Sequence, residues 1–104
     1  MLTVMSGSMN SNIDAVFSNK ELYRDGLRQI SFCADDKLCE DFDSTGHIDL
    51  HVRRAIQLGV STMDAYRMAT FNAASYYRLD HLIGSVTPGR LADILILDCL
   101  EDAR

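Results

Sequence analysis

The sequence predicts an α/β fold in which parallel strands alternate with helices. Two short, β-prone apolar stretches, Leu2–Met5 and Leu27–Ala34, are separated by a segment with helical periodicity. A longer segment with helical spacing, residues 46–59, follows the second stretch. Because a strand, a helix and a second strand in this order usually form a right-handed crossover, we expect the two strands to lie side by side and parallel.

The first part of the chain is predicted to be strand, helix and strand. Threonine and valine favour a strand in the first apolar stretch. Residues 10–22 are predicted to be a helix, and Gly26 is expected to end it. The second stretch stops abruptly at Asp35 and Asp36. Since aspartate is disfavoured inside strands, this acidic pair is expected just beyond the carboxyl end of the second strand.

Further helices are predicted in the middle of the chain. Residues 46–58 place apolar side chains along one side, and Gly59 is expected to end this helix. Ser61 begins a sequence that resembles a capping box, with aspartate in the place of the usual glutamate, so a helix should follow it. Asn72 is expected to cap one more short turn over residues 73–77.

The last part of the chain has a different pattern. Thr87-Pro88-Gly89 is typical of a turn, because proline favours the second position of a turn and glycine favours the third. The strongly apolar run Ala92–Asp98 follows this turn and is predicted to be a strand.

Composition excludes several classes of protein. The 104 residues carry a net charge of −5 without a basic cluster, which argues against a nucleic-acid-binding surface. No apolar run approaches the ~20 residues of a membrane-spanning helix, and without a basic leader we expect no secretory signal. Three irregularly spaced cysteines form no zinc motif. Cys33 and Cys99 are expected to be buried free thiols, which fits a reducing, cytoplasmic setting.

The acidic pair, Asp35 and Asp36, is the main candidate for chemistry. Active sites of α/β proteins lie at the carboxyl ends of parallel strands, where a carboxylate can bind a metal ion or accept a proton. A solvated loop is the alternative for an isolated acidic pair. His47 and His51 share a helix face at a spacing that can chelate a metal. The glutamate of that motif is absent, so structural histidines, the second on a half-exposed turn, are the preferred interpretation.

Five segments of the chain resemble adenine deaminases of the amidohydrolase superfamily. The resemblance covers essentially the whole chain and is clearest from Phe32 onward. The Phe-Cys-x-Asp-Asp and Gly-His-Ile sequences point most narrowly to these deaminases, whereas the Pro-Gly-Arg-x-Ala-Asp sequence is widespread in the superfamily. The matching segments are Phe32–Lys37, Gly46–Gly59, Met68–Tyr77, Leu79–Gly84 and Pro88–Asp98.

The resemblance implies a (β/α)₈ barrel with a small β-sandwich domain and a centre of manganese or iron. The chain would then be the C-terminal part of such a metal-dependent hydrolase. Residues 1–78 would hold the last two β/α units of the barrel, and residues 79–104 a segment of the β-sandwich with its terminal strand. The implied reaction is the metal-dependent hydrolytic deamination of adenine, in which activated water attacks C6 and hypoxanthine and ammonia form.

The resemblance also assigns roles to the acidic pair. The aspartate at the end of the eighth barrel strand falls on Asp35, which is therefore expected to bind the metal and to transfer the proton. Asp36 is expected to help place the substrate. The chain departs from the family after its first strand, where Met5-Ser6-Gly7-Ser8 replaces the usual Arg-Glu-Gly-Ser. The departure weakens the expectation of a substrate role for that loop.

A complete barrel needs roughly 250 residues, and the family's other metal ligands, mostly histidines, have no matching motifs in this sequence. We therefore expect the isolated chain to be inactive as a deaminase. It should self-associate or require an N-terminal barrel fragment as its partner. Two alternatives stay open, namely a non-catalytic or degenerate interaction fragment, and an amidohydrolase that acts on another cyclic amidine or amide.

Overall fold

Two parallel strands form the sheet of the protein. The computed structural model describes all 104 residues. β1 (Leu2–Met5) pairs with β2 (Ile30–Cys33), and Met5 lies opposite Cys33 in the register. The predicted parallel pairing is therefore confirmed. Because the strands run in the same direction and end at paired residues, both carboxyl ends lie at one edge of the sheet.

Six α-helices and one 3₁₀ turn surround this sheet. The helices are α1 (Ile13–Phe17), α2 (Lys20–Tyr23), α3 (Cys39–Thr45), α4 (Ile48–Gln57), α5 (Thr62–Ala69) and α6 (Phe71–Tyr76), and the 3₁₀ turn is Leu27–Gln29. The first two helices and the 3₁₀ turn connect the strands, and the other four helices follow β2. None of the helices combines the length and the hydropathy that crossing a membrane requires.

The connection between the strands differs from the prediction in two details. The single helix predicted over residues 10–22 is divided, because Asn19 has extended backbone and its side chain accepts a hydrogen bond of 3.2 Å from the N–H of Glu21. Such a cap begins a new helix instead of continuing the old one. The 3₁₀ turn delays β2, which begins three residues later than predicted.

The predicted boundaries between α4 and α5 are confirmed. Gly59 has a φ of 96°, its N–H donates to the carbonyl of Ile56, and the N–H of Val60 donates to the carbonyl of Ala55. This hydrogen-bond pattern is a Schellman motif, in which a residue without a Cβ adopts the left-handed conformation at little cost. Ser61 caps α5 by accepting a hydrogen bond of 3.2 Å from the amide three residues later.

Asn72 is not a helix cap, contrary to the prediction. It lies inside α6 and is 5% exposed, and its side-chain amide donates to the carbonyls of Leu27 and Ile30 at 2.9 and 2.8 Å. These carbonyls belong to the 3₁₀ turn and to the start of β2, so Asn72 holds α6 against the amino end of that strand. Buried polar groups need partners, and here a distant element supplies them.

The strand predicted at Ala92–Asp98 is wrong, because residues 79–104 contain neither helix nor strand. No backbone–backbone hydrogen bond involves residues 92–98. A strand requires a hydrogen-bonded neighbour, and β1 and β2 pair only with each other. The turn before this run is confirmed, since the N–H of Arg90 donates to the carbonyl of Thr87 at 3.2 Å.

The hydrophobic core lies between the sheet and helices α1, α4 and α5. Phe17 is fully buried, and its ring meets Tyr23 and Phe32 edge to face, with ring centres 5.3 and 6.2 Å apart. The core is small, since only 15 of the 104 residues are buried. The accessible surface of 6995 Å² exceeds the value of about 5,800 Å² that a folded monomer of this mass exposes. The fold therefore leaves an unusual amount of surface uncovered.

Replacing a core methionine should destabilise the chain. Met68 of α5 is fully buried, so Met68→Ala should lower the free energy of unfolding by about 2–5 kcal/mol. Met63, on the same helix, is 65% exposed, and Met63→Ala should change it by less than about 0.5 kcal/mol. Urea unfolding followed by circular dichroism measures both effects. Equal losses in the two variants would contradict the position of the core.

Candidate functional site

Two loops meet at the edge of the sheet where both strands end. We call them the carboxyl-edge loops: residues 6–10 follow β1, and residues 34–38 follow β2. Asp35 and Asp36 lie in the second loop, directly beyond the strand, so their predicted location is confirmed. Because the strands are parallel neighbours, the acidic pair faces a loop from an adjacent strand. This arrangement is typical of α/β active sites.

Asp35 is the accessible member of the pair. Its backbone has a φ of 53°, in the left-handed region that aspartate tolerates better than most residues. Its side chain is exposed. The left-handed turn ends the extended course of β2 and places the carboxylate at the surface, where a ligand from outside the chain can reach it.

Asp36 has a different environment, because its carboxylate lies against the loop after β1. Its Oδ2 accepts a hydrogen bond of 3.1 Å from the N–H of Met9, and its Oδ1 is buried without a partner. A Cβ at Gly7 would lie 1.6 Å from this Oδ1, so only glycine allows the approach. Asp36 therefore joins the carboxyl-edge loops. Its predicted role toward a substrate stays a prediction.

Ser8 makes a second connection between the carboxyl-edge loops. Its hydroxyl accepts a hydrogen bond of 2.8 Å from the N–H of Leu38 and donates to the carboxylate of Asp41 at the start of α3. Together with the contact between Asp36 and Met9, this bond fixes the two loops at two points. Asp35 lies in the short segment just before these fixed points.

His51 is fully buried, which corrects the prediction of a half-exposed position. Its ring lies between α4 and the carboxyl ends of both strands. Nδ1 is 2.9 Å from the carbonyl of His47, and Nε2 is 3.0 Å from the N of Ser6 and 2.9 Å from the carbonyl of Cys33. Sequence reasoning noted its spacing from His47 but missed its burial. The sequence did contain an indication of this burial, because His51 adjoins the apolar face of α4 that includes Val52.

Burial lowers the pKa of His51 below its ordinary value of 6.5, and the carbonyls of His47 and Cys33 oppose this effect only in part. The ring is therefore neutral near pH 7. With the proton on Nδ1, the ring donates to the carbonyl of His47 and its bare Nε2 accepts from the N–H of Ser6. A second proton would let Nε2 donate to the carbonyl of Cys33 instead.

The amino end of α4 carries a second perturbed group, Asp49. Its carboxylate accepts a hydrogen bond of 2.6 Å from the N–H of His47 and forms an ion pair of 2.7 Å with Arg53. Burial raises the pKa of Asp49, but the hydrogen bond from His47 and the charge of Arg53 outweigh it, so the pKa lies below 3.8. A carboxylate in the first turn also complements the helix dipole.

The residues present do not fit a metal centre by themselves. No group of three or more histidine, cysteine or acidic side chains is placed to hold a metal ion. His47 and His51 do not form a chelating pair, because the ring of His47 is exposed against Phe42 while that of His51 is buried. Since protein metal sites normally use three or more ligands, Asp35 would need donors from outside this chain.

The cysteines differ from the expectation of buried thiols. Cys33 is only half-buried at the end of β2, and Cys99 is exposed. Cys99 directly follows residues 92–98. Because these residues have no neighbouring strand, no strand covers Cys99. All three cysteines are free thiols.

An apolar cavity of about 540 Å³ lies between helices α5 and α6 and the C-terminal segment. The hydroxyl of Tyr66 donates to the carbonyl of Leu100 at 2.8 Å and connects the two walls. Burial raises the pKa of Tyr66, and the nearby Cys99 and Glu101 add to this effect. The cavity has few polar groups and lies apart from the carboxyl-edge loops, so it is separate from the candidate site.

Comparison with known proteins defines the class of this protein. A sequence profile described as the amidohydrolase family matches residues 10–103. The match extends over most of the chain and includes Asp35 and Asp36. The chain therefore belongs to the amidohydrolase family. No solved structure shows a significant match to it.

Several relatives that are similar in sequence to this chain share the name adenine deaminase. Adenine deaminase 4 of Rhizobium meliloti is 53% identical over 78 residues, which are 75% of this chain and 13% of that protein. The adenine deaminase of Methanococcoides burtonii is 43% identical over 102 residues, 96% of this chain and 17% of that protein. The adenine deaminase of Desulforamulus reducens is 39% identical over 101 residues, with coverages of 97% and 17%. The chain thus spans less than a fifth of the length of these relatives.

Acidification should destabilise the chain through His51. Because the folded-state pKa lies below 6.5, the unfolded state binds more protons as the pH falls. The free energy of unfolding should therefore be greatest above pH 6.5 and decrease as the pH falls through 6.5 toward the folded-state pKa. Urea titrations between pH 7.5 and pH 5 measure this slope. In His51→Gln the slope should become smaller, and an unchanged slope would contradict the assignment.

The contact between Gly7 and Asp36 can be tested by a double-mutant cycle. Gly7→Ala should destabilise the chain, because the new Cβ would displace the Asp36 carboxylate. In an Asp36→Ala background the same substitution should cost much less. Gly26→Ala is the control, since a Cβ at Gly26 would meet nothing closer than 3.9 Å. Additive effects of Gly7→Ala and Asp36→Ala, measured by urea unfolding, would show that the two residues are not in contact.

Proposed function

We propose that this chain is part of an adenine deaminase-like enzyme and supplies one wall of its active site. The reaction is the hydrolysis of adenine to hypoxanthine and ammonia. Support comes from relatives of that name that are 39–53% identical to most of the chain. The single observation that carries the proposal is the exposed Asp35, which follows a parallel strand inside the segment that matches the family.

The role that we assign to Asp35 combines binding and proton transfer. Its carboxylate would be one donor to a manganese or iron ion whose other ligands lie outside this chain. During hydrolysis the same carboxylate would accept a proton from the attacking water and deliver it to the departing nitrogen. We assign Asp36 to substrate placement, which it would perform through the loop that it holds at Met9.

The larger enzyme would be a (β/α)₈ barrel with a small β-sandwich domain. In this proposal residues 1–78 are its last two β/α units, and residues 79–104 belong to the β-sandwich. The parallel pair β1 and β2 with a helical crossover supports the first assignment. Residues 92–98 expose an apolar run that includes Leu95 and Ile96, and the rest of the enzyme would cover it.

A hybrid enzyme tests the proposed function directly. The chain replaces the matching segment of the Desulforamulus reducens adenine deaminase, to which it aligns over 101 residues. With manganese or iron supplied, the hybrid should release hypoxanthine and ammonia from adenine. The chain alone should show no such activity. Hypoxanthine is measured by chromatography, and other purines and cyclic amides are offered in parallel.

Substitutions in the hybrid distinguish the proposed role of Asp35 from that of an exposed aspartate elsewhere on the chain. Asp35→Asn should lower kcat by at least about 100-fold, because the loss of a general acid–base group typically costs 10²–10⁴-fold. Asp43→Asn is the matched control, since Asp43 is an exposed aspartate on α3 outside the carboxyl-edge loops, and it should leave kcat unchanged. A folded hybrid that is inactive on adenine, or full activity in Asp35→Asn, would overturn the proposal.

The chain alone should self-associate through its exposed apolar C-terminal segment. Leu95 and Ile96 are 77% and 97% exposed, and apolar patches of this kind drive association. We expect light scattering to show a concentration-dependent increase in mass, and Ile96→Asp to suppress it. Leu22→Asp is the control, because Leu22 is 65% exposed on α2, away from this segment. A monomer at all concentrations would contradict the expectation.

A further inference from the structure

We propose that His51 is a positioning residue that sets the direction of Asp35 by joining the carboxyl ends of β1 and β2 to α4. The inference deepens the proposed function and rests on it for the role of Asp35. Neither the metal-binding nor the substrate assignment involves His51. What the structure adds is a buried, rigid ring that contacts three backbone segments at once.

The ring contacts backbone groups that lie just beyond the last paired residues of β1 and β2. The last paired residues are Met5 and Cys33. Directly beyond them, Nε2 lies 3.0 Å from the N of Ser6, and it lies 2.9 Å from the carbonyl of Cys33. The neutral ring thus accepts a hydrogen bond from the end of β1 at Ser6 and packs against the carbonyl of Cys33 at the end of β2, so it lies between the two strands where their direct pairing stops. Its Nε2 provides a hydrogen-bond partner for a backbone group at a strand end, as a capping side chain does at a helix end.

Two further contacts and complete burial hold the ring in one orientation. Nδ1 is 2.9 Å from the carbonyl of His47, and the ring of Phe32 packs 5.6 Å away, measured between centroids. The side chain is fully buried, so it cannot leave the strand ends without opening the core. Because an imidazole ring is rigid, it fixes the spacing between α4 and the end of β2.

The end of β2 determines where Asp35 lies. Only Ala34 separates Asp35 from Cys33, whose carbonyl contacts the ring. On the other side, Asp36 and Ser8 fix the loop to its neighbour. Asp35 is therefore held from both directions while its own carboxylate stays free. A displacement of about 1 Å at a reacting group can reduce a rate by about 100-fold, so the fixed strand end matters for the proposed reaction.

Two substitutions of His51 each preserve a different part of its hydrogen bonding. In His51→Gln the side-chain amide reaches the position of Nε2, and its oxygen can still accept from the N–H of Ser6. In His51→Asn the shorter amide reaches only the position of Nδ1 and can bond only His47. Asn72→Ala is the control for general destabilisation, because Asn72 is a buried polar residue that holds the opposite end of β2.

The kinetic readout uses the hybrid enzyme at a temperature where circular dichroism shows each variant to be folded. We expect His51→Asn to lower kcat by about 100-fold with little change in KM, and His51→Gln to restore most of kcat. Asn72→Ala should lower the melting temperature without this loss of kcat. Equal losses in the Gln and Asn variants, or an equal loss in Asn72→Ala, would overturn the proposal.

A second readout does not depend on activity. In ¹⁵N spectra of the chain, His51→Asn should shift the amide of Asp35 and speed the hydrogen exchange of the Ser6 amide, whereas His51→Gln should preserve both. If the hybrid with intact His51 is inactive, the proposed function fails, and these spectra still decide whether His51 fixes the strand ends. Unchanged signals of Ser6 and Asp35 in His51→Asn would refute the positioning role.

Discussion

The parallel pairing of β1 with β2 is the constraint on which the rest of the structure depends. It aligns Met5 with Cys33, so two loops that are about thirty residues apart in sequence leave the sheet at one edge. A one-residue slip of this register would turn the buried face of a strand outward. The core side chains Val4 and Phe32, which are paired in the register and both buried, oppose such a slip. The packing of these core side chains therefore determines the geometry of the site at the edge of the sheet.

Three polar side chains at this edge have different tasks because their surroundings differ. Asp36 lies against Gly7 and bonds the neighbouring loop, whereas Asp35 is exposed in a left-handed backbone conformation. His51 is buried below them and contacts both strand ends. Adjacent aspartates with the same chemistry therefore divide into one that maintains the loop and one that stays available. The bound carboxylate and the buried ring together limit how far the available carboxylate can move.

The surface of the chain agrees with a role inside a larger protein. Its accessible area is well above that of a folded monomer of the same mass, and the run 92–98 exposes apolar side chains without a single backbone hydrogen bond to other residues. The curated relatives are more than five times as long as the matching segment. In the proposed enzyme, the remaining polypeptide would cover this apolar surface and supply the other ligand donors. The same uncovered surface explains why the isolated chain is expected to associate.

The sequence by itself determined the features that local interactions control. These include the location of Asp35 and Asp36 directly after an apolar stretch, the end of α4 at Gly59 and the cap of α5 at Ser61. The parallel strand pair is not local, but the order of strand, helix and strand in the sequence predicted it. The tertiary structure decided the features that depend on distant partners. Asn72 became a connection to β2 instead of a cap, His51 became a buried tie between strand ends, and the run 92–98 formed no strand. The physical reason is that a turn or cap is satisfied by residues a few positions away, whereas a buried polar group or a strand is satisfied only by whatever the fold brings beside it.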